Sequence, residues 1–461
     1  MKIIVLNGSP KGDISVTMQY IKYIQKKFPK HELKIINIAQ QINKLEKDLN
    51  FFEEVIDEIN LSDGVIWAFP LYYHLVSSQY KRFIELIFER KVTNSFKGKY
   101  TCALATSIHF QDHTAINYIN AICNDLDMNF VDYLSLHMDD LEKESSRKLI
   151  LTFFENYFNA INHKITTTKS YSKLSYNPIA YKSEPNFNKI ATSNKKLTLI
   201  TDSLENSNLS NMISTFSSFF INDIEIINLQ EIDIKGGCLG CIKCGYNYEC
   251  VYTGKDEFID FYNNKIRNSD IIIFCGDIRD RYLSSLWKRF FDRSFFNTHT
   301  PTITGKQIGF IISGPLTQIP NLKQIFESYT QWQRANLVDF VTDEYSSIND
   351  IDDQLYALAL KSINLSLADF IKPSTFLGVG GTKIFRDDIY SKLRFPFLAD
   401  YKAYKKLGIF DFSHNSFKYK IMSTIFLIMT KFPKIKNEIY SNQIKPGMIQ
   451  KLKKIAEDPN I

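Results

Sequence analysis

Long apolar runs are missing from this sequence. The longest late one, Ile421 to Thr430, is about half of what a bilayer-spanning helix needs. The short apolar run at the start, in Met1-Lys-Ile-Ile-Val-Leu-Asn-Gly-Ser-Pro, is too brief for a secretory signal and has the shape of a first β-strand. Histidine is also scarce, with 8 in 461 residues. The expectation is a cytoplasmic protein with no transmembrane segment. Hydrophobic content of 44% and charged content of 23% exclude wholesale disorder. The length allows two to three domains with sizeable cores.

Excess charge of one sign is missing from most of the chain. The net charge is +6, but from Pro373 onward there are 16 Lys and Arg against 7 Asp and Glu, leaving 40 against 43 before it. The main body is therefore close to neutral, and no nucleic-acid partner is expected. The basic tail suits an acidic protein, a phosphate-bearing cofactor or an anionic membrane, while a solvated basic face asks for no partner.

Four of the seven cysteines fall within Gly236 to Cys250, G-G-C-L-G-C-I-K-C-G-Y-N-Y-E-C. In a chain without a secretory signal this reads as metal or redox chemistry rather than a disulfide framework. Cys238, Cys241, Cys244 and Cys250 are spaced to hold one [4Fe-4S] cluster. Structural zinc or unliganded thiols are the other readings, although zinc more often uses separated knuckles or histidines, and no histidine lies nearby. Cys102, Cys123 and Cys275 fall in predicted strands or helices and read as core.

From the N-terminus, an apolar strand over residues 2–7 runs into Gly8-Ser9-Pro10-Lys11-Gly12-Asp13-Ile14-Ser15-Val16-Thr17, which opens a helix carrying Met18, Ile21, Ile24 and Phe28 at helical spacing. Free N–H groups and the helix dipole at such a junction favour phosphate; a Ser/Thr-capped tight turn is the alternative. Regular β/α alternation continues to about Ile161 and predicts a parallel sheet covered on both faces. Ligands sit beyond the carboxyl ends of such strands. Two more loops leave that edge, Phe69 to Ser78 and Thr106 to His113. Pro70, Tyr72, Tyr73 and His74 in one loop suit a planar heterocycle that needs stacking and in-plane hydrogen bonds, and the other loop brings His109, Asp112 and His113 to the same edge. Asp112 reads as the N-cap of the next helix, with a metal site at His109, Asp112 and His113 the lesser alternative.

The segments G-S-P-K-G-x-x-S-x-T, P-L-Y-Y-x-x-x-S-S-Q-x-K-R-F-I and T-S-x-H-F resemble those of NADPH-dependent FMN reductases and other flavodoxin-like flavoproteins. The resemblance covers roughly the first 160 residues. It implies that Ser9, Pro10, Lys11, Ser15, Val16 and Thr17 hold the FMN phosphate, that Pro70 to Tyr73 and Thr106 to His109 flank the isoalloxazine, and that NAD(P)H is a candidate electron donor. His109 is the candidate catalytic acid or base.

Residues 165–195 are polar and without apolar period, a linker. The pattern of the first domain then recurs: Leu197-Thr-Leu-Ile answers Ile3-Ile-Val-Leu, and Ser284-Ser-Leu-Trp-Lys-Arg-Phe-Phe-Asp answers Ser77-Ser-Gln-Tyr-Lys-Arg-Phe-Ile-Glu at an offset of 207. The repeat is not functionally symmetrical. Asp202-Ser203-Leu204-Glu205 stands where the first domain has Gly8-Ser9-Pro10-Lys11, and carboxylates repel phosphate, so the second half is expected to lack flavin.

The spacing C-x2-C-x2-C-x5-C resembles that of the iron-sulfur flavoproteins of anaerobes, in which a cluster approaches a neighbouring subunit's FMN. The fold class expected is α/β: two tandem flavodoxin-like, doubly wound parallel sheets with a basic, mainly helical C-terminal extension. The expected division is 1–164 for the FMN domain, 165–195 for the linker, 196–372 for the cysteine-loop domain and 373–461 for the extension. Within the extension, Phe376-Leu-Gly-Val-Gly-Gly-Thr382 reads as a turn. The expected activity is electron transfer between FMN in the first domain and a cluster in the second, with a small molecule or a ferredoxin-like protein as partner. An NAD(P)H-dependent quinone, nitro or flavin reductase with zinc or bare thiols is the second reading, and a non-enzymatic redox sensor or scaffold the third. A dimer through the flavodoxin-like domains is compatible with both enzyme readings.

Overall fold

The computed structural model describes residues 1–205, 207–412 and 417–457; parts of the expected extension, 413–416 and 458–461, lie outside the described residues. Ten strands form two parallel sheets: β1 (Lys2–Asn7), β2 (Glu32–Ile36), β3 (Gly64–Pro70), β4 (Tyr100–Ser107) and β5 (Asn129–His137), then β6 (Leu197–Thr201), β7 (Glu225–Asn228), β8 (Ile271–Asp277), β9 (Gln307–Ser313) and β10 (Asn336–Thr342). The strand orders are β2-β1-β3-β4-β5 and β7-β6-β8-β9-β10. Both are the doubly wound flavodoxin-like order, so the recurrence in the sequence is a recurrence of topology.

The helices are α1 (Val16–Lys27), α2 (Ile42–Lys47), α3 (Leu49–Asn60), α4 (Ser78–Glu89), α5 (Asp112–Asp125), α6 (Glu144–His163), α7 (Ser207–Ser218), α8 (Phe258–Phe261), α9 (Ser285–Arg293), α10 (Pro320–Trp332), α11 (Ile348–Leu367), α12 (Phe376–Tyr390), α13 (Leu398–Lys406), α14 (Phe417–Met429), α15 (Pro433–Glu438) and α16 (Ile444–Ala456). Strand alternation distributes the core. Ile3 and Val5 of β1 pack with Met18, Ile21, Phe154 and Tyr157 of α1 and α6. Ile4 and Leu6, pointing the other way, join a core that includes Phe83 of α4 and Phe290 of α9. One apolar core is therefore shared by the facing sides of both sheets. The outer side of the second sheet is covered by α7 and α11, with Tyr181 and Ile190 of the predicted linker packed in.

The chain separates into two compact units, Met1–Tyr404 and Lys405–Ile461. The glycine-rich segment at Phe376 is not a turn; it is the first half of α12. Close packing explains the difference. A Cβ on Gly381 would enter the Phe110 ring, and one on Gly378 would press on Gln331 and Ser374. The glycines let a helix approach where any side chain would hold it off.

Candidate functional site

The loop after β1 tightens through a 3-10 turn at Gly12–Ile14, and Ser15 caps α1 by accepting from the Met18 N–H at 3.3 Å. Gly12 has φ +60°, a backbone conformation that favours glycine, and it lies against the end of the Gln40 side chain. Ser9 Oγ accepts from the Lys11 N–H at 3.3 Å, and Thr17 Oγ1 pairs with Thr106 Oγ1 at 2.7 Å. The N–H groups of Val16 and Thr17, first in the helix, make no hydrogen bond to the described residues. Two free helix N–H groups beside three hydroxyls form a donor set that fits a phosphate.

Because β1, β3 and β4 are neighbours in the sheet, their loops share one edge. The Leu71 N–H donates to the Thr106 carbonyl at 3.1 Å, joining the second loop to the third. Tyr72 and Leu75 exchange backbone hydrogen bonds of 2.8 and 2.9 Å around Tyr73 (φ 37°) and His74 (φ 63°). Two successive non-glycine residues in the left-handed region form a strained tight turn, a feature that gathers at functional sites. This hairpin reaches into the second domain: the Tyr73 ring packs edge-on against Trp332 at 5.7 Å and Phe295 at 6.1 Å. Of the residues expected around a heterocycle, Pro70, Tyr72 and Ser107 are partly exposed and His109 is exposed, whereas Leu71 packs against the core, Thr106 is buried and Tyr73 is engaged by the helices of the second sheet.

His109 is half-exposed and its Nδ1 lies 2.9 Å from Asp112 Oδ2. Asp112 is not the N-cap of α5; Gln111, with φ 57°, holds that position and Asp112 is the first helical residue. Its carboxylate instead accepts from Ser135 Oγ at 2.5 Å and orients His109. Burial opposes the Asp112 charge, but Ser135 and His109 outweigh burial and hold its pKa below the usual carboxylate range. A carboxylate there accepts a hydrogen bond from Nδ1–H, which fixes Nε2 as the outward atom. His137 lies beside His109, with ring centroids 5.8 Å apart, and Lys392 reaches Asp139 at 2.9 Å and His137 Nε2 at 3.3 Å. Neither His137 nor Lys392 is marked by any motif.

The four clustered cysteines line one small cavity of about 20 Å³, together with Tyr252, Arg293 and Phe295. The Gly240 N–H donates to Cys238 Sγ at 3.5 Å, and Cys244 Sγ donates to the Phe295 carbonyl at 3.5 Å. Burial, with further contributions from Asp292 and the neighbouring thiols, pushes Cys238 up to about 12; Cys244 is raised for the same main reason. Thiolates gathered this closely repel one another unless a cation neutralises them. The arrangement is not closed around a single point: among the described residues no group of three or more His, Cys, Asp or Glu is set to hold a metal ion. That holds equally for His109, Asp112 and His113.

The cysteine loop sits against the loops that leave the carboxyl edge of the first sheet. A Cβ on Gly240 (φ +63°) would collide with the Tyr72 hydroxyl and lie 3.0 Å from Lys11 Cε; one on Gly237 would strike Ser78 Oγ. Gln79 Nε2 donates to the Cys238 carbonyl at 3.1 Å. Burial and, after it, Cys238 raise the Tyr72 pKa. Beneath this contact the helices flanking the two sheets meet with approximate twofold reciprocity. The Ser78 N–H, at the start of α4, donates to Asp292 Oδ2 at 2.7 Å, and the Ser285 N–H, at the start of α9, donates to Glu85 Oε1 at 2.6 Å. Both pairs obey the offset of 207. Residues 376–404 cover the junction: Phe385 lies 4.5 Å from Phe110 between ring centroids, and the Pro396 carbonyl abuts Gly245.

Residues 1–140 match the model of the family NADPH-dependent FMN reductase. The matched segment is that of an NAD(P)H-dependent FMN reductase-like oxidoreductase. No curated protein matches. Among solved structures, the chain is similar to the flavoenzyme NAD(P)H:(acceptor) oxidoreductase FerB from Paracoccus denitrificans, at 18% identity and TM-score 0.31 over 35% of this chain and 97% of that one. It is also similar to an FMN-dependent NADH-azoreductase from Bacillus anthracis in complex with FMN, at 13% identity and TM-score 0.25, over 35% and 96% of the respective chains.

The equivalent edge of the second sheet carries Asp202, Asp277 and Asp343, all buried. Both Asp277 oxygens lack a hydrogen-bond partner among the described residues. Burial, only partly relieved by Arg279 and reinforced by Asp202, pushes Asp277 up to about 6. A carboxyl raised in the folded state weakens folding above that pH and ceases to do so below its ordinary value of about 4. Asp277→Asn should therefore stabilise the protein by up to about 3 kcal/mol at pH 7.5 and by almost nothing at pH 4. Urea unfolding at the two pH values measures this, and an equal effect at both would contradict it.

Proposed function

We propose that the chain is an oxidoreductase that binds FMN at the edge of the first sheet, uses a nicotinamide as reductant, and exchanges electrons with a [4Fe-4S] cluster held by Cys238, Cys241, Cys244 and Cys250. When bound, FMN supplies two-electron acceptance with one-electron release, and the cluster supplies a one-electron store. The observation that carries this reading is the seating of the cysteine loop on the phosphate loop, with Gly240 against Tyr72 and Lys11.

Each group of residues has a part. The N–H groups of Val16 and Thr17 and the hydroxyls of Ser9, Ser15 and Thr17 hold the phosphate, with Pro10 shaping the turn and Lys11 adding charge. Pro70, Leu71 and Tyr72 on one side and Thr106, Ser107 and His109 on the other bound the heterocycle and exclude water. Asp112 keeps His109 in one orientation with Nε2 outward, able to give or take a proton at that atom. The second domain presents carboxylates where a phosphate would sit and is assigned no flavin.

Thr17→Glu tests the flavin assignment, because a carboxylate among the phosphate donors should weaken FMN binding by roughly a hundredfold or more. The variant should purify without flavin and no longer oxidise NAD(P)H, while Ser203→Glu in the second domain keeps one FMN per chain. Retention of FMN by Thr17→Glu, or its loss from Ser203→Glu, overturns the assignment.

A further inference from the structure

The C-terminal unit, residues 405–461, has no part in the chemistry above, and its described helices carry many exposed large apolar side chains. Helix α14 buries none of its residues. Ile425, Phe426, Leu427 and Ile428 are consecutive and are 52%, 48%, 63% and 54% exposed. At about 100° per residue, four successive side chains point around the whole helix. A docked protein would cover one stripe of such a helix; a continuous apolar medium covers all of it. In α16, Met448, Ile449, Leu452 and Ile455 are also exposed and form one stripe. An apolar groove of about 950 Å³, lined by Met422, Phe426, Ile439 and Met448 among others, lies between these elements.

Charge selects among apolar media. Residues 405–461 hold eleven lysines, no arginine and four acidic residues. A second copy of the unit would bring the same excess of positive charge against the first. An anionic surface is attracted instead. Length excludes spanning: no helix among the described residues is long and apolar enough to cross a membrane, and the 13 residues of α14 extend only about 20 Å.

We infer that the C-terminal unit is a membrane-surface anchor, with α14 and the apolar stripe of α16 immersed at the headgroup boundary of an anionic lipid bilayer and the lysines against the headgroups.

Sedimentation of the full-length protein with vesicles tests this. Binding to mixed phosphatidylglycerol/phosphatidylcholine vesicles should exceed binding to pure phosphatidylcholine by roughly tenfold or more and weaken in high salt. The triple variant Ile425→Ser, Phe426→Ser, Leu427→Ser should lose vesicle binding with its helical circular dichroism retained. Lys431→Glu, Lys434→Glu, Lys436→Glu, which leaves the apolar surface intact, should lose the preference for anionic lipid. Three outcomes overturn the inference: no binding to either vesicle; a stable dimer abolished by the serine variant, which assigns the surface to a second copy; or binding to an acidic protein such as a ferredoxin without binding to vesicles.

Discussion

Asp292→Ala should destabilise the protein by about 3–5 kcal/mol, measured as a shift of the urea unfolding midpoint. Asp292 is fully buried, pairs with the equally buried Lys288, and accepts the Ser78 N–H from the other domain at 2.7 Å. Burial disfavours both charges, lowering the Lys288 pKa and raising that of Asp292. Truncating the acid strands an ammonium in the core and orphans the first N–H of α4. The pseudo-symmetric Glu85→Ala should have a smaller effect, because Lys81 keeps Asp280 at 2.9 Å. Adding Lys288→Met to Asp292→Ala should recover most of the loss, since removing both buried charges is far less damaging than removing one. Equal losses for Asp292→Ala and Glu85→Ala, or no recovery in the double variant, would contradict this reading of the interface.

Gly240→Ala should leave NAD(P)H oxidation through the flavin intact while slowing electron delivery to a one-electron acceptor, because displacing the cysteine loop lengthens the path an electron must cross. The added Cβ meets the Tyr72 hydroxyl, so either the Tyr72 side chain or the cysteine loop must shift and the contact between the loops is disturbed. Tyr72→Phe removes the colliding oxygen and leaves the ring carbon Cζ at 3.3 Å from that Cβ, so the double variant should recover most of the rate, a coupling that a double-mutant cycle reads directly. Failure of Tyr72→Phe to rescue would show that the left-handed backbone at Gly240, rather than contact between the domains, sets the loss.

Much of the fold is legible in the sequence because it rests on local signals. Strands such as Ile3 to Leu6 and Leu197 to Thr201 are short apolar runs, and the offset of 207 between Ser77 and Ser284 marks the second sheet before any contact is known. The same offset links Glu85 to Asp292, yet nothing local says that each acid caps the helix of the opposite domain. That pairing is a property of three-dimensional docking. The Phe376 segment misled for a related reason: glycine reads as a turn signal, whereas Gly378 and Gly381 are small so that α12 can close on Gln331 and Phe110. Asp112 misled because an acid at a helix start resembles an N-cap, while its Oδ2 serves His109, three residues before it, and Ser135 in β5, 23 residues after it. His137 and Lys392, 255 residues apart, meet at the candidate site only because residues 376–404 fold back over the first domain.

The measurement that bears most directly on the central claim is flavin, iron, sulfide and zinc analysis, with an absorption spectrum, of the full-length protein purified without oxygen. One FMN with about four irons and four sulfides per chain is the expected result, and Cys241→Ser should lose the iron while keeping the flavin. One FMN with zinc, or protein without flavin, would contradict the account.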